Sequence, residues 1–350
     1  MDYSSFHSSN AETFLESRNL SFSSLENVTK NQYEEVAHTL VTSSPVHGVA
    51  NAASDIDLIC ITARESDRGA MASQIYHEGQ HLETVAFASS DVDLAMHTLA
   101  GYRAASPLET LRAYRRWDAS QAVSRKYLER IVSGVATDRA VPYLDWNAAL
   151  GSMWAVAAYD AFRQSAGFAL LSLRAGEMRG AAAYSANALL HLMNALLSQR
   201  GWTVSNKKWT LLRWRRAART LLDSDTQACA DTVDALWPKL GTACVRGLAS
   251  ADASGLIELV DQADASTGFG AAYAAHVPAL RQVESAPFLP GSRVVLRQDG
   301  RAALLPSFDL PTTLTTAPRD LAAVAPDLAR QLLLAARVGA VGFSLTDSLS

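Results

Sequence analysis

Two different patterns of apolar and polar positions divide this chain. In its first hundred residues short apolar runs stand out, and the run at 55–61, Asp-Ile-Asp-Leu-Ile-Cys-Ile, predicts a strand covered on both faces. Residues 74–87 alternate around a Glu-Gly-Gln turn and predict a β-hairpin. Apolar residues near helical spacing over 24–38 predict a helix before the first strand, and the serine-rich residues 1–22 are expected to be a loose lead-in.

Helical spacing with many alanines and glycines replaces this pattern after residue 106. Pro107 favours a helix start, because proline suits the first helical position. Six further helices are predicted, over 119–133, 145–166, 168–177, 179–200, 207–224 and 226–246. Small residues at this density allow close packing, which indicates a helical bundle. Near the C-terminus, residues 292–305 predict a hairpin with an Asp-Gly turn, and residues 318–338 predict an amphipathic helix.

These patterns predict an α+β protein in three parts. Residues 1–105 form a small mixed-sheet domain, residues 106–280 an α-helical bundle, and residues 281–350 a small α+β appendage. A chain of 350 residues is long enough to divide in this way. The last part carries no recognisable chemistry, and packing, formation of a homodimer and a lid are the alternatives for its role.

Composition narrows the class of partner. The formal net charge is −4 without a block of like charges, so no nucleic-acid partner is expected. The nearest thing to a basic face is one predicted helix with Arg213, Arg215, Arg216 and Arg219. Three scattered cysteines fit reduced thiols, so a cytoplasmic protein is expected. Charges break every long apolar run and no signal-peptide pattern opens the chain, so no membrane association is expected.

The candidate chemistry begins with two aspartates. Side chains on a strand alternate, so Asp55 and Asp57 share one face of the predicted strand. Two carboxylates this close repel each other unless a cation lies between them, and oxygen ligands alone suit Mg²⁺ or Mn²⁺. A second Asp-apolar-Asp triplet, at 91–93, follows two serines and precedes apolar positions at helical spacing. We interpret it as the cap and acidic first turn of a helix.

The residues upstream of the first aspartate pair add context. A strand end at 40–42 is followed by Ser43 and Ser44. Gly48 then lies in a loop before the pair. This order resembles the DNA polymerase β-like nucleotidyltransferase superfamily, and the spacing resembles its small-molecule, antibiotic-type members. Ser44 matches the family serine and Gly48 its later glycine, whereas Ser43 stands where the family has a glycine.

The resemblance implies a metal-dependent enzyme. It would move a nucleoside monophosphate from a nucleoside triphosphate, with ATP the expected donor, to a hydroxyl or other oxygen of a small molecule, releasing pyrophosphate. Asp55 and Asp57 would hold two Mg²⁺ ions. The family usually adds a third carboxylate, and Glu83 is predicted as that ligand or as the general base; an exposed charge at a strand end is the alternative. Ser43, Ser44 and a short helix beginning there would hold the triphosphate.

Two lysines of the predicted bundle are further candidates. Lys207 and Lys208 precede a tryptophan, and a lysine beside an aromatic residue meets the triphosphate in some small-molecule nucleotidyltransferases. Paired lysines at a helix start oppose the helix macrodipole, which favours a role in binding. Other polar positions of the bundle fit either an acceptor cleft or an ordinary structural setting: Asn187, His191, Asn194, Asp160 and Arg163.

A second function class stays open, namely a nucleotidyltransferase-like module that binds a nucleotide or a protein partner without turnover. Ser43 supports it, because serine narrows the backbone freedom and the close approach to phosphates that glycine allows. The carboxylates Asp55, Asp57 and Glu83 oppose it, because an inactive copy has no physical need for a costly acidic cluster. The identity of the acceptor, and whether the role is resistance or biosynthesis, does not follow from the sequence.

Overall fold

A five-stranded mixed sheet with helices is the main feature of this α+β protein. The computed structural model describes residues 2–65, 71–204, 207–217, 278–282, 294–296, 302–304, 323–337 and 341–345, with isolated positions between 231 and 265 and Leu321. The chain divides into two compact units. One comprises 1–157 and 194–222, and the other comprises 158–193 and 223–350.

The first unit contains the five-stranded sheet. Its strands are β1 (Val36–Val41), β2 (Ile56–Thr62), β3 (Ser73–His77), β4 (Gln80–Ala88) and β5 (Val135–Ala136). Its first five helices are α1 (Tyr3–Glu16), α2 (Phe22–Gln32), α3 (Ser89–Ala100), α4 (Pro107–Ser120) and α5 (Arg125–Val132). A 3₁₀ turn (Leu144–Trp146), α6 (Asn147–Arg174), α7 (Met178–Gln199), a second 3₁₀ turn (Lys207–Trp209) and α8 (Thr210–Ala217) follow along the chain.

The strand order is β3-β4-β2-β1-β5. Strands β2 and β4 are parallel, and the other neighbouring pairs are antiparallel, so the sheet is mixed as predicted. The predicted hairpin is formed by β3 and β4, with Glu78 and Gly79 both at positive φ in its turn. Because β1 is antiparallel to β2, the end of β1 lies beside the start of β2.

Strand β2 is covered on both faces, as its apolar run predicts. On one face Ile59 and Ile61 pack with β4 and with residues of α3, α4 and α5. On the other face Ile56 and Leu58 pack with residues of α1 and α2, among them Leu15. Full burial of each such side chain contributes roughly 1.5–3 kcal/mol, so the two layers fix the position of β2 between them.

The serine-rich N-terminus is helical rather than a loose lead-in. Asp2 caps α1 by accepting a hydrogen bond from the Ser4 N–H at 3.0 Å. The buried residues His7, Ala11 and Leu15 follow at intervals of four, which is the stripe that a helix presents to a core. Only one of the three is a large apolar residue, so this stripe was not evident from hydrophobicity.

Two other predicted helix boundaries are wrong. The helix predicted over 24–38 ends at Gln32, because Tyr33 is extended at its C-cap and Val36 already belongs to β1. Helix α6 continues through Gly167, where a break was predicted. One glycine costs a helix about 1 kcal/mol, which is too little to end a helix of 28 residues.

The described strands of the second unit form two antiparallel pairs. They join β6 (Pro278–Gln282) to β9 (Val341–Leu345), and β7 (Val294–Leu296) to β8 (Ala302–Leu304). The latter pair forms the arms of the predicted C-terminal hairpin, whose Asp-Gly turn lies outside the described residues. Helix α9 (Pro326–Arg337) begins later than predicted, with proline at its favoured first position. The predicted helix over 226–246 and the end of that over 207–224 also lie outside the described residues.

No helix in the described part of the chain has both the length and the apolar character needed to cross a bilayer.

Candidate functional site

One end of the sheet in the first unit gathers the predicted site residues. Thr42, just after β1, donates its N–H and its hydroxyl to the Asp57 carbonyl oxygen at 3.0 and 3.1 Å. These bonds tie the end of β1 to the start of β2. Strand β4 lies next to β2, and its parallel register sets Glu83 beside Asp57. Neighbouring strands lie about 4.8 Å apart, so the two carboxylate-bearing residues are direct neighbours.

The three predicted carboxylates line one cavity of about 550 Å³, together with Ser43 and Ser44. This volume falls in the range of small-molecule sites. The Asp55 side chain is 68 % exposed and lies 3.6 Å from a His81 ring nitrogen, whereas the Asp57 side chain is only 16 % exposed. Asp57 therefore lies deeper in the cavity than Asp55. 

Positively charged side chains form another part of the cavity lining. Lys126 and Arg130 come from α5, and Lys208 comes from the second 3₁₀ turn. The two α5 residues are four apart and flank the Tyr127 ring, with the Lys126 Nζ at 5.1 Å and the Arg130 Cζ at 5.8 Å from its centroid. Residues four apart share a helix face, so both cations reach the same cavity. The side chain of Lys207 lies outside the described residues.

Sequence reasoning missed the role of α5. The helix was predicted over 119–133, and its basic residues were not assigned to the site. In the structure α5 begins at Arg125, and Lys126, Glu129 and Arg130 all line the cavity. Their i, i+3, i+4 spacing places them on one helix face, and this spacing could be read from the sequence. The predicted helix began at 119 rather than at Arg125, so the cavity-lining face was not recognised.

Arg130 and Asp57 form an ion pair inside the cavity. The Arg130 Nη1 lies 3.4 Å from the Asp57 Oδ1, and the two side chains are only 19 % and 16 % exposed. Limited exposure means that solvent screens this pair less than it screens a surface pair. Glu83, by contrast, has no ion-pair partner within 4 Å among the residues that the structure describes.

The donor chemistry of the three carboxylates fits a hard divalent cation, because all their ligating atoms are oxygens. Their side chains do not converge on one position that a metal ion could occupy. Within the described residues, no three His, Cys, Asp or Glu side chains are close enough together to hold a metal ion. Arg130 instead supplies a positive charge next to Asp57.

The segment after β1 consists of turns rather than the expected short helix. Its bonds run from the Gly48 N–H to the Pro45 carbonyl at 3.0 Å and from the Val49 N–H to the Ser44 carbonyl at 3.1 Å. Gly48 accounts for the difference, because its left-handed φ of +62° is the conformation that ends a helix, so the turn is not continued. We call residues 43–49 the turn segment.

Ser43 holds a backbone conformation that glycine favours. Its φ is +66°, in the left-handed region, where a non-glycine residue costs roughly 1–2 kcal/mol. Its hydroxyl is buried without a hydrogen-bond partner among the described residues, yet the residue lines the cavity. The left-handed φ gives a physical reason for a glycine at this position, and the orphaned hydroxyl is available to a ligand oxygen.

Side chains of helix α1 hold the turn segment in place. His7 Nδ1 and Asn10 Nδ2 both lie within hydrogen-bonding distance of the Val46 carbonyl oxygen, at 3.0 and 3.3 Å. At Gly48, where φ is +62°, a Cβ atom would come within 2.8 Å of the Asn10 Oδ1. Only glycine therefore fits this close approach between the helix and the turn without displacement.

A buried polar layer supports the cavity. His47 is fully buried, and this burial, reinforced by the charges of His7 and Arg213, holds its pKa well below the usual value. Its Nε2 lies 3.4 Å from the Ser133 hydroxyl, while its Nδ1 has no hydrogen-bond partner in the described part of the chain. The imidazole is therefore neutral at pH 7. 

Arg213 is part of this layer, although the sequence suggested that it belonged to a basic face. Its guanidinium donates to the carbonyl oxygens of Val204, at 2.9 Å, and Trp202, and to the Asn194 side chain. Burial lowers its pKa to about 10, so it stays cationic at neutral pH, and nearby Glu129 favours that charge. Arg213 thereby holds the segment that leads into the 3₁₀ turn of Lys208.

The other predicted bundle residues lie elsewhere. None of them is among the described residues that line this cavity: Asn187, His191, Asn194, Asp160 and Arg163. Asn194 is buried and accepts a hydrogen bond from Thr210 at 2.9 Å. Asn187 donates to Ser165 at 2.8 Å. The second aspartate triplet lies in helix α3, with Asp91 in its acidic first turn. That turn starts from an Ala88 N-cap without a side-chain hydrogen bond.

Fold and site together define an α+β protein with a mixed-charge cavity at one end of a mixed sheet. The chain belongs to the Family of unknown function (DUF6001), whose model matches residues 3–346. No curated protein matches the chain.

Proposed function

We propose that this protein is a metal-dependent nucleotidyltransferase. It transfers a nucleoside monophosphate from a nucleoside triphosphate, with ATP the expected donor, to a hydroxyl or other oxygen of a small molecule. The single observation that carries the proposal is that Asp55, Asp57 and Glu83 line one cavity with Lys126, Arg130 and Lys208. Carboxylates suit divalent cations and basic side chains suit phosphates, and a metal–triphosphate complex presents both.

The basic side chains bind the triphosphate in this proposal. A triphosphate carries several negative charges, and the exposed Lys126 and Lys208 and the mostly buried Arg130 offer three positive charges in one cavity. Arg130 can bind two phosphate oxygens at once through its planar guanidinium, whereas the lysines act as point charges. The buried Ser43 hydroxyl adds a donor, and a phosphate oxygen would satisfy it.

The carboxylates would hold Mg²⁺ or Mn²⁺, which when bound activates the attacking oxygen and neutralises charge on the leaving group. Asp57 on β2 and Glu83 on β4 are register partners, and Asp55 lies immediately before β2, so all three oxygen donors come from the same end of the sheet. The mostly buried Asp57 is the ligand on which the proposal depends most.

Glu83 either completes the metal site or accepts the proton of the acceptor. In the reaction the acceptor oxygen forms a bond to the α-phosphorus. The bond between that phosphorus and the α–β bridging oxygen breaks, and pyrophosphate leaves. The acceptor hydroxyl proton passes to the Glu83 carboxylate, which lacks an ion-pair partner within the described residues and lines the cavity.

A nucleotide-binding module without turnover is the second candidate. The Arg130–Asp57 ion pair favours it, because a carboxylate held by an arginine is less available to a metal ion. The side-chain positions of the carboxylates, which do not gather three donors, favour it as well.

Pyrophosphate release separates the two candidates. The protein is incubated with each labelled triphosphate, Mg²⁺ and a panel of small-molecule acceptors. We expect Asp57→Asn to lower release by more than about 100-fold, since loss of even an outer-shell partner of a metal ligand costs 10–100-fold. Asp91→Asn makes the same change in the second triplet and should leave release intact. Release that survives Asp57→Asn contradicts the site, and absence of release with every triphosphate and acceptor favours the binding module.

A further inference from the structure

Helix α5 contributes two arginines to ion pairs with aspartates, and the contact of Arg130 with Asp57 is looser than that of Arg125 with Asp118. Arg125, at the start of α5, bonds the Asp118 carboxylate through Nε at 2.8 Å and Nη2 at 2.7 Å. Arg130 approaches Asp57 through one nitrogen at 3.4 Å. The first pair consists of two short charge-assisted bonds to the Asp118 Oδ2, whereas the second has a single long contact.

Arg130 nevertheless compensates the charge of Asp57. Both side chains are mostly buried, and a buried carboxylate without a compensating charge is costly. Glu83 is the register partner of Asp57, and Asp55, two residues earlier, lines the same cavity. These negative charges favour a cation near Asp57, so the guanidinium competes with a metal ion for that carboxylate.

The same guanidinium can reach a triphosphate. Lys126, one turn earlier on α5, and Lys208 line the same cavity and attract polyanions to it. Phosphate offers arginine the two-pronged geometry that Asp57 does not provide here. A bound triphosphate therefore draws Arg130 from a weak partner to a strong one.

We propose that Arg130 exchanges partners and so makes metal binding depend on the nucleotide. Without a triphosphate, Arg130 pairs with Asp57 and opposes binding of a divalent cation. With a triphosphate, Arg130 pairs with the phosphates and Asp57 becomes available to the metal. The inference rests on the proposed function and adds its regulation: the cation and the nucleotide bind together. Coupling between two ligands is reciprocal, so each raises the affinity for the other by the same factor.

Mn²⁺ binding measured without turnover tests this inference. Free Mn²⁺ is followed by electron paramagnetic resonance in titrations of wild type and Arg130→Gln, with and without a nonhydrolysable ATP analogue. We expect Arg130→Gln to bind Mn²⁺ about 5- to 150-fold more tightly than wild type without nucleotide, which is the usual range of such couplings. The nucleotide should tighten Mn²⁺ binding strongly in wild type and much less in the variant.

Matched variants make the outcomes unambiguous. Arg125→Gln removes the same charge from the same helix and should behave as wild type. Arg130→Lys keeps the charge and should give an intermediate Mn²⁺ affinity, which keeps the test available if Arg130→Gln does not fold. Adding Asp57→Asn to Arg130→Gln should abolish the gain.

The inference and the proposed function fail in different ways. Equal Mn²⁺ affinity of wild type and Arg130→Gln without nucleotide overturns the partner exchange, even if the nucleotide still strengthens Mn²⁺ binding and the proposed function stands. A gain that survives Asp57→Asn also overturns it, because the cation then binds elsewhere. Absence of Mn²⁺ binding in every variant, with and without nucleotide, overturns both.

Discussion

Ser43 is a single residue that is conformationally costly and lines the candidate site. Its left-handed backbone, with φ of +66°, is the conformation that glycine adopts freely, and its hydroxyl is buried without a partner in the described part of the chain. Both features oppose stability. The sequence identified this position as a departure from the nucleotidyltransferase pattern that the chain resembles. It could not show that the backbone keeps the conformation that the glycine would have.

Ser43→Gly should therefore stabilise the protein. Relief of left-handed strain and of the unsatisfied hydroxyl outweighs the greater entropy of glycine in the unfolded chain, so we expect a gain of about 1 kcal/mol in the free energy of unfolding. Urea denaturation measures it. Ser44→Gly is the control, because its φ is not left-handed and glycine there should destabilise by some tenths of a kcal/mol. A loss of stability in Ser43→Gly would contradict the strained conformation.

At the level of elements, helix α1 and the turn segment form one buried contact. The rings of His7 and His47 meet edge to face with centroids 5.2 Å apart. Burial lowers the pKa of His7, and lowers that of His47 well below its usual value. Local patterns predicted β2 and the hairpin, because an apolar run and an alternation of apolar and polar residues are visible within each short segment. They missed α1, whose buried stripe includes a histidine and an alanine.

This contact makes stability depend on pH. In the unfolded chain a histidine has a pKa near 6.5. The folded pKa values of His7 and His47 are lower, so below about 6.5 the unfolded state binds more protons. The histidine contribution to stability is therefore complete above that pH and is lost as pH falls, with a slope of at most about 1.4 kcal/mol per pH unit for each group.

Urea denaturation between pH 7.5 and 5.5 checks this expectation. The free energy of unfolding should fall with pH in wild type and fall less steeply in His47→Gln. His97→Gln, which changes an exposed histidine of α3, should keep the full dependence on pH. An identical slope in wild type and His47→Gln would show that the buried imidazole does not govern the acid sensitivity.

At the level of the whole molecule, the site depends on contacts between distant parts of the chain. The sequence predicted that Asp55 and Asp57 share a face and that Glu83 lies on a nearby strand. It could not predict that β4 pairs with β2 in the parallel register that sets Glu83 beside Asp57. It assigned Arg213 to a basic face, because an arginine is usually solvated, whereas three carbonyl and amide acceptors allow this one to be buried.

The same limits explain the missed basic side of the cavity. Helix α5 reaches the carboxylates through tertiary packing, and only its spacing of Lys126 and Arg130 was visible in the sequence. The net charge of −4 gave no reason to expect a basic surface, but it is compatible with three basic side chains in one cavity. Local patterns therefore predicted the acidic half of the site, and the fold supplied the basic half.

The proposed function requires Asp57 to bind a metal ion together with a triphosphate. Calorimetric titration of a nonhydrolysable ATP analogue into the protein, with and without Mg²⁺, measures this binding. We expect tight binding that requires Mg²⁺, is lost in Asp57→Asn and persists in Asp91→Asn. Binding that is equally tight without Mg²⁺ and in Asp57→Asn, or no binding to wild type, would show that Asp57 does not hold a metal–triphosphate complex.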